Sequence, residues 1–166
     1  PAEQTPLTAL ALAWLAREAG IPEGVLNVVT GEPEAIVDTW LGDPRLRKLS
    51  FTGSTEVGRL LMAKASHNLT RLSLELGGHA PLLVFDDADL SLAVEGAMAS
   101  KFRNAGQTCI CANRFYVQAG VYDEFVSRFS AAIRDLRVGR GAEAGVSIGP
   151  LIDDAAIAKV EAHVED

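Results

Sequence analysis

The stretch "RKLSFTGSTEVGRLLMAKAS", residues 47–66, constrains the fold more than any other part of this chain. An extended run carrying Leu49 and Phe51 ends at Gly53, and Ser54 opens a segment in which Val57, Leu60, Leu61 and Lys64 fall on one helical face. Strand, glycine turn and helix in that order predict a βα unit. The same alternation runs along the rest of the sequence. Leu7, Leu10, Ala11, Trp14 and Leu15 recur at helical spacing until Gly20 stops the run. "GVLNVVTG" (24–31) reads as a strand bounded by glycines, and a short helix follows Pro33. "LSLELGG" and "PLLVFD" read as strands separated at Gly77–Gly78. Asp89 suits the N-cap of a helix that turns Leu90, Val94, Ala97 and Met98 inward. "RFYVQ" is a further strand, and Tyr122, Phe125, Phe129, Ala132, Ile133 and Leu136 define one more amphipathic helix. Such alternation predicts α/β architecture with a largely parallel sheet, and the glycine pair is the candidate domain boundary.

Composition narrows the function. The 166 residues are 48% apolar and only 6% aromatic, so aliphatic side chains must supply most of the core. Net charge is −7 and the fifteen basic residues are scattered, which argues against nucleic-acid binding, where phosphates call for a basic stripe. The longest nearly apolar run, "LTALALAWLA" (7–16), falls well short of the ~20 residues of a bilayer span. Two cysteines make no disulfide framework, so a cytoplasmic protein is expected. The opening "PAEQTPLTAL" lacks a methionine, and the chain is expected to belong to a longer polypeptide.

Four features could carry chemistry. The "FTGSTEVG" junction offers free backbone N–H groups and the positive end of a helix dipole to a phosphate, with Gly53 allowing close approach and Ser54 a hydroxyl; a plain strand-to-helix turn is the competing reading. A P-loop is excluded, because Arg59 and Leu60 stand where Lys and Ser/Thr are required, and Gly139-x-Gly141-x-x-Ala144 follows a helix, the wrong context for a dinucleotide fingerprint. In "LELGG", Glu75 breaks an apolar strand. Partial desolvation there would suit a general base, although an outward-facing residue is the plainer alternative. In "NAGQTCICANR", small residues leave room around Cys109, while Ile110 and the following strand turn Cys111 elsewhere. Burial of both thiols as a small apolar pair is the competing account. Metal binding is not expected: C-x-C is short of the usual knuckle, no second pair exists, and His67, His79 and His163 show no ligand spacing. Arg103 could grip a substrate carboxylate or simply cap a helix.

The order "FTGSTEVG", "LELGG", "NAGQTC" resembles the aldehyde dehydrogenase superfamily along essentially the whole chain, and "SKFRNAGQTCICANR" with "VFDDADL" resembles its succinate-semialdehyde dehydrogenases. The resemblance implies part of a Rossmann-like parallel-sheet cofactor domain over 1–76, followed by the first part of an α/β catalytic domain over 77–166. It implies that Cys109 is the nucleophile and Glu75 the base that activates the hydrolytic water. Gly53, Ser54 and Leu76 would meet the cofactor, NAD or NADP. Glu3 would hold the adenosine ribose, and its charge leans toward NAD by repelling a 2′-phosphate. Arg103 would contact the far carboxylate of succinate semialdehyde. Glutarate semialdehyde or an ω-amino aldehyde are alternative substrates, and a non-catalytic redox or metal-binding thiol module is the alternative from another class. Cys111 would be a redox partner for Cys109, although residues i and i+2 of an extended strand point to opposite faces. The resemblance further implies a homo-oligomeric parent whose oxyanion-hole asparagine lies outside this sequence. Loss of such a donor costs about 10²–10³ in rate, so the isolated chain is expected to turn over little.

Overall fold

The computed structural model describes residues 1–165, and these divide at Leu76/Gly77 into two units. In the first unit the predicted βα junction is built as follows. Strand β1 (Lys48–Gly53) runs into helix α3 (Thr55–Ala65), and Ser54 caps the helix by accepting the Val57 N–H on Oγ at 3.2 Å. The chain returns through Ser66–Asn68 to β2 (Arg71–Leu76), which pairs with β1 in parallel, Lys48 beside Arg71 and Gly53 beside Leu76. Parallel pairing of consecutive strands needs a crossover, which α3 supplies here. Helix α2 (Pro33–Gly42) starts with proline in its first turn, where a missing N–H costs nothing. Its Leu41 joins Leu49, Leu61 and Ala65 in a buried cluster, with Val37, Leu46, Phe51 and Leu72 packed against it. Helix α1 (Leu7–Glu18) precedes them and buries none of its residues.

The second unit repeats the plan. Strands β3 (Ala80–Val84) and β4 (Ala112–Val117) are parallel neighbours, with helix α4 (Leu90–Lys101) between them in sequence. Asp89 caps α4, its Oδ1 accepting from Ser91 and Leu92 N–H. Helix α5 (Tyr122–Arg134) packs on α4. Val84, Leu90, Ala97 and Phe125 form the core, and Phe129 lies within 5.2–5.5 Å of the Phe115 and Phe125 rings. Helix α6 (Asp154–Glu165) closes the described residues, its entry held by the Ala156 N–H on Asp153 Oδ1 at 2.9 Å. No described helix is long and apolar enough to cross a membrane.

Both strand pairs are parallel and helices alternate with strands, as the α/β expectation required. Two local expectations are corrected, and one is refined. Residues 24–31 form no strand: Gly24 and Gly31 have positive φ, Asn27 Nδ2 closes back on Gly24 O, and none of the described strands pairs with them. On α3, Val57, Leu60, Leu61 and Lys64 do share one face, which lines a cleft, while Gly58, Leu61 and Ala65 are the buried positions. Leu136 lies past the end of α5, and Tyr122, at its start, is half exposed.

Candidate active site

Within the first unit the register of β1 and β2 brings the predicted site residues Gly53, Glu75 and Leu76 to one sheet end, with Ser54 following Gly53. Thr52 pairs with Glu75 and Gly53 with Leu76, at the carboxyl ends of both strands and beside the α3 N-terminus. Ligands of open parallel sheets bind outside such ends. The first intrahelical bond runs from Gly58 N–H to Ser54 O, and Ser54 Oγ takes the Val57 N–H, which leaves the Thr55 and Glu56 N–H groups without helical acceptors. The two glycines here serve packing. A Cβ on Gly53 would lie 2.3 Å from the Phe51 ring, and one on Gly58 would lie 2.8 Å from Leu76 Cδ2. Leu76 therefore rests on α3 through the missing side chain of Gly58. Glu75 faces solvent, so its own unit does not supply the expected desolvation. Glu3 is exposed in the turn before α1, where the Thr5 N–H bonds Ala2 O.

Sequence reasoning missed an apolar cleft of about 270 Å³ lined by Pro33, Val37, Phe51, Val57, Leu60 and Leu61. Its signal was present, since Val57 and Leu60 are apolar on a helix yet are not needed for the core. Lys64 stands at its rim, 2.5 Å from Asp38 and 3.6 Å from Glu34, and the Asp38 carboxylate holds its ammonium above the usual lysine range.

The second unit carries the thiols in two different environments. Cys109 is exposed, whereas Cys111 is buried at 2% exposure. The Cys111 N–H bonds Thr108 O at 3.3 Å, so Cys109 and Ile110 form the tip of a four-residue turn. Cys111 Sγ donates to Gly106 O at 3.1 Å. Separate environments arise here from a turn, not from the alternation of a strand. Arg103 follows α4, is exposed, and takes part in none of the ion pairs among the described residues. Upstream of Cys109, Asn104 (φ 52°, ψ 41°), Ala105 (φ 56°, ψ 30°) and Gly106 (φ 77°) are consecutively left-handed, a cost of about 1–2 kcal/mol at Ala105, since asparagine and glycine adopt this backbone readily. Among the described residues, no three His, Cys, Asp or Glu side chains are grouped to hold a metal ion.

Comparison with known proteins supplies the context. The family described as "Aldehyde dehydrogenase family" matches residues 1–166. The chain is 60% identical over its full length to a succinate-semialdehyde dehydrogenase [NADP(+)] of Escherichia coli, and 60% identical to a glutarate-semialdehyde dehydrogenase of Pseudomonas aeruginosa. It spans about a third (34%) of the length of these curated relatives. A crystal structure of an E. coli NADP-dependent enzyme superposes with a TM-score of 0.97 at 60% identity, covering the whole chain and 34% of that structure.

Proposed function

This chain belongs to the aldehyde dehydrogenase family, and on that premise we propose that it carries the nucleophile and the water-activating base for oxidation of succinate semialdehyde to succinate with NAD(P). The observation that carries the reading is the contrast at the thiols. Cys109 stands exposed on a tip where an aldehyde can reach it, and Cys111 is engaged in the interior.

In the proposed reaction the Cys109 thiolate attacks the aldehyde carbon, forming a C–S bond and a thiohemiacetal. Bound NAD(P) would supply the acceptor for the hydride that leaves that carbon. The resulting thioester on Cys109 is cleaved by water, with Glu75 taking the water's proton as the C–O bond forms and the C–S bond breaks. Glu75 and Cys109 belong to different units, so this chemistry requires the active enzyme to bring the two together. Ser54 and the open N–H groups at the α3 start would hold the cofactor's phosphates, the cleft beside Val57 its base, and Leu76 its reactive end. The guanidinium of Arg103 would take the substrate's distal carboxylate. The segments 1–76 and 77–166 would then be parts of the cofactor and catalytic domains. Cytoplasmic location and homo-oligomeric assembly are part of the same proposal.

Glu3 favours NAD through repulsion of a 2′-phosphate, while the E. coli relative is by name an NADP(+) enzyme, so the cofactor is proposed as NAD(P). Glutarate semialdehyde is the second substrate reading, motivated by the Pseudomonas relative of equal identity. Both questions are answered by a chimera in which this chain replaces the matching third of the E. coli relative. Formation of NADH and NADPH is followed with succinate semialdehyde, glutarate semialdehyde and propanal, for the parent chimera and its Arg103→Ala form. The proposal expects succinate semialdehyde to be preferred and the preference to vanish with Arg103→Ala. Equal use of propanal by both forms removes the substrate assignment.

A further inference from the structure

The three left-handed residues before the Cys109 tip are held by more bonds than a surface loop requires. The backbone N–H and side-chain Nε2 of Gln107 both donate to Asn104 O, at 3.1 and 3.2 Å, and Asn104 Nδ2 donates to Gln107 O at 3.3 Å. From the other side Cys111 Sγ donates to Gly106 O at 3.1 Å. Gln107 precedes the turn Thr108–Cys111 and Cys111 ends it, so both feet of the tip are tied into one left-handed segment. Gln107 reaches further: its Oε1 accepts the Ile152 N–H at 3.0 Å, 45 positions along the chain. A left-handed Ala persists only where its surroundings over-determine it, and such residues collect at functional sites.

We propose that Gln107 and Cys111 are positioning residues, which hold the Cys109 tip by clamping the left-handed turn at 104–106. The inference rests on the reading of Cys109 as nucleophile and adds to it a cause for the thiol's fixed approach direction. A tip of two exposed residues has no packing of its own to hold it, and attack on a carbonyl tolerates little misplacement. The clamp also gives Cys111 work that a disulfide partner would not do. Its thiol is a hydrogen-bond donor here, and serine can replace a donor but cannot form a disulfide.

The test attaches a nitroxide to Cys109 in the chimera described above, with exposed cysteines outside this segment replaced, and records the electron paramagnetic resonance line shape. The parent chain is expected to give an immobilised component. Gln107→Leu and Cys111→Ala are expected to lose that component with helical circular dichroism retained, and Cys111→Ser to keep it. In the chimera described above, Gln107→Leu and Cys111→Ala should lower kcat about tenfold to a hundredfold with the aldehyde KM unchanged, while Cys111→Ser stays near the parent. The inference is overturned by identical line shapes across the four proteins, by Cys111→Ser loosening the tip as much as Cys111→Ala, or by unchanged kcat in both clamp variants. Full activity of Cys109→Ser would instead defeat the nucleophile reading, a separate result because the line shape involves no chemistry.

Discussion

Placing the same substitution, Gly→Ala, in two helices should change stability in opposite directions. Gly96 lies inside α4 with nothing within 4 Å of the position a Cβ would take, so alanine there gains only helix propensity, about 1 kcal/mol. Gly58 lies inside α3, where the new Cβ would sit 2.8 Å from Leu76 Cδ2 and 3.0 Å from Cδ1. Ordinary contact begins near 3.4 Å, so the tip of Leu76 must retreat by about 0.6 Å. The same propensity gain is then set against an overpacking cost of about 1–3 kcal/mol, for a net loss of about 1 kcal/mol. The two variants should differ by about 2 kcal/mol. Urea unfolding followed by circular dichroism, with residue-resolved hydrogen exchange in α3 and α4, measures each effect in its own unit. The displaced Leu76 ends β2 next to Glu75, so Gly58→Ala in the chimera should also raise the cofactor KM. If Gly58→Ala stabilises α3 as much as Gly96→Ala stabilises α4, the packing of Leu76 on Gly58 is not what holds that sheet end.

Other expectations follow from single contacts. Phe125→Ala removes the largest fully buried side chain of the second unit and should cost about 3–5 kcal/mol, read as loss of exchange protection in α4 and α5; protection within 1 kcal/mol of the parent would refute the core assignment. Ser54→Ala deletes the α3 cap and should cost about 1 kcal/mol of local stability, whereas Ser54→Asp should retain it; equal loss in both would argue against capping. Asp43 is held by the Arg45 side chain and N–H, which lower its carboxyl from the ordinary 3.8 to about 2. Because the folded value is depressed, this contribution is present above about pH 4 and is lost as pH falls through about 2. Carbon-detected titration should show that midpoint returning toward the ordinary value in Arg45→Ala, and an unchanged midpoint would refute the pairing.

Local signals were readable in the sequence, and non-local ones were not. Ser54 and Asp89 announce their helices by chemistry contained within one turn, and both caps are formed. "GVLNVVTG" has the composition of a strand, but a strand exists only with a hydrogen-bonded neighbour, which is a property of distant residues. Which positions of α3 are buried is non-local in the same way: Gly58 packs inward because Leu76 occupies its space. At the candidate site, the side-by-side placement of Gly53 with Leu76 and Thr52 with Glu75 needs the register of two strands eighteen or more residues apart, which no local pattern encodes. Asn104 and Gly106 tolerate left-handed backbone, but Ala105 gives no hint of it, and the Gln107–Ile152 bond spans 45 positions. The cysteines show both cases at once. Their unequal environments could be anticipated from i, i+2 spacing, yet a turn produces them.

The central claim is that Cys109 forms the covalent bond to substrate and Glu75 serves the water that breaks it. It is tested most directly by trapping. The chimera carrying Glu75→Gln is mixed with succinate semialdehyde and NADP, quenched in acid, and analysed by intact mass and peptide mapping. The account predicts one succinyl thioester per chain, mapped to Cys109 and absent when Cys109→Ser is added. An adduct on Cys111, or steady turnover with no adduct at either cysteine, would contradict it.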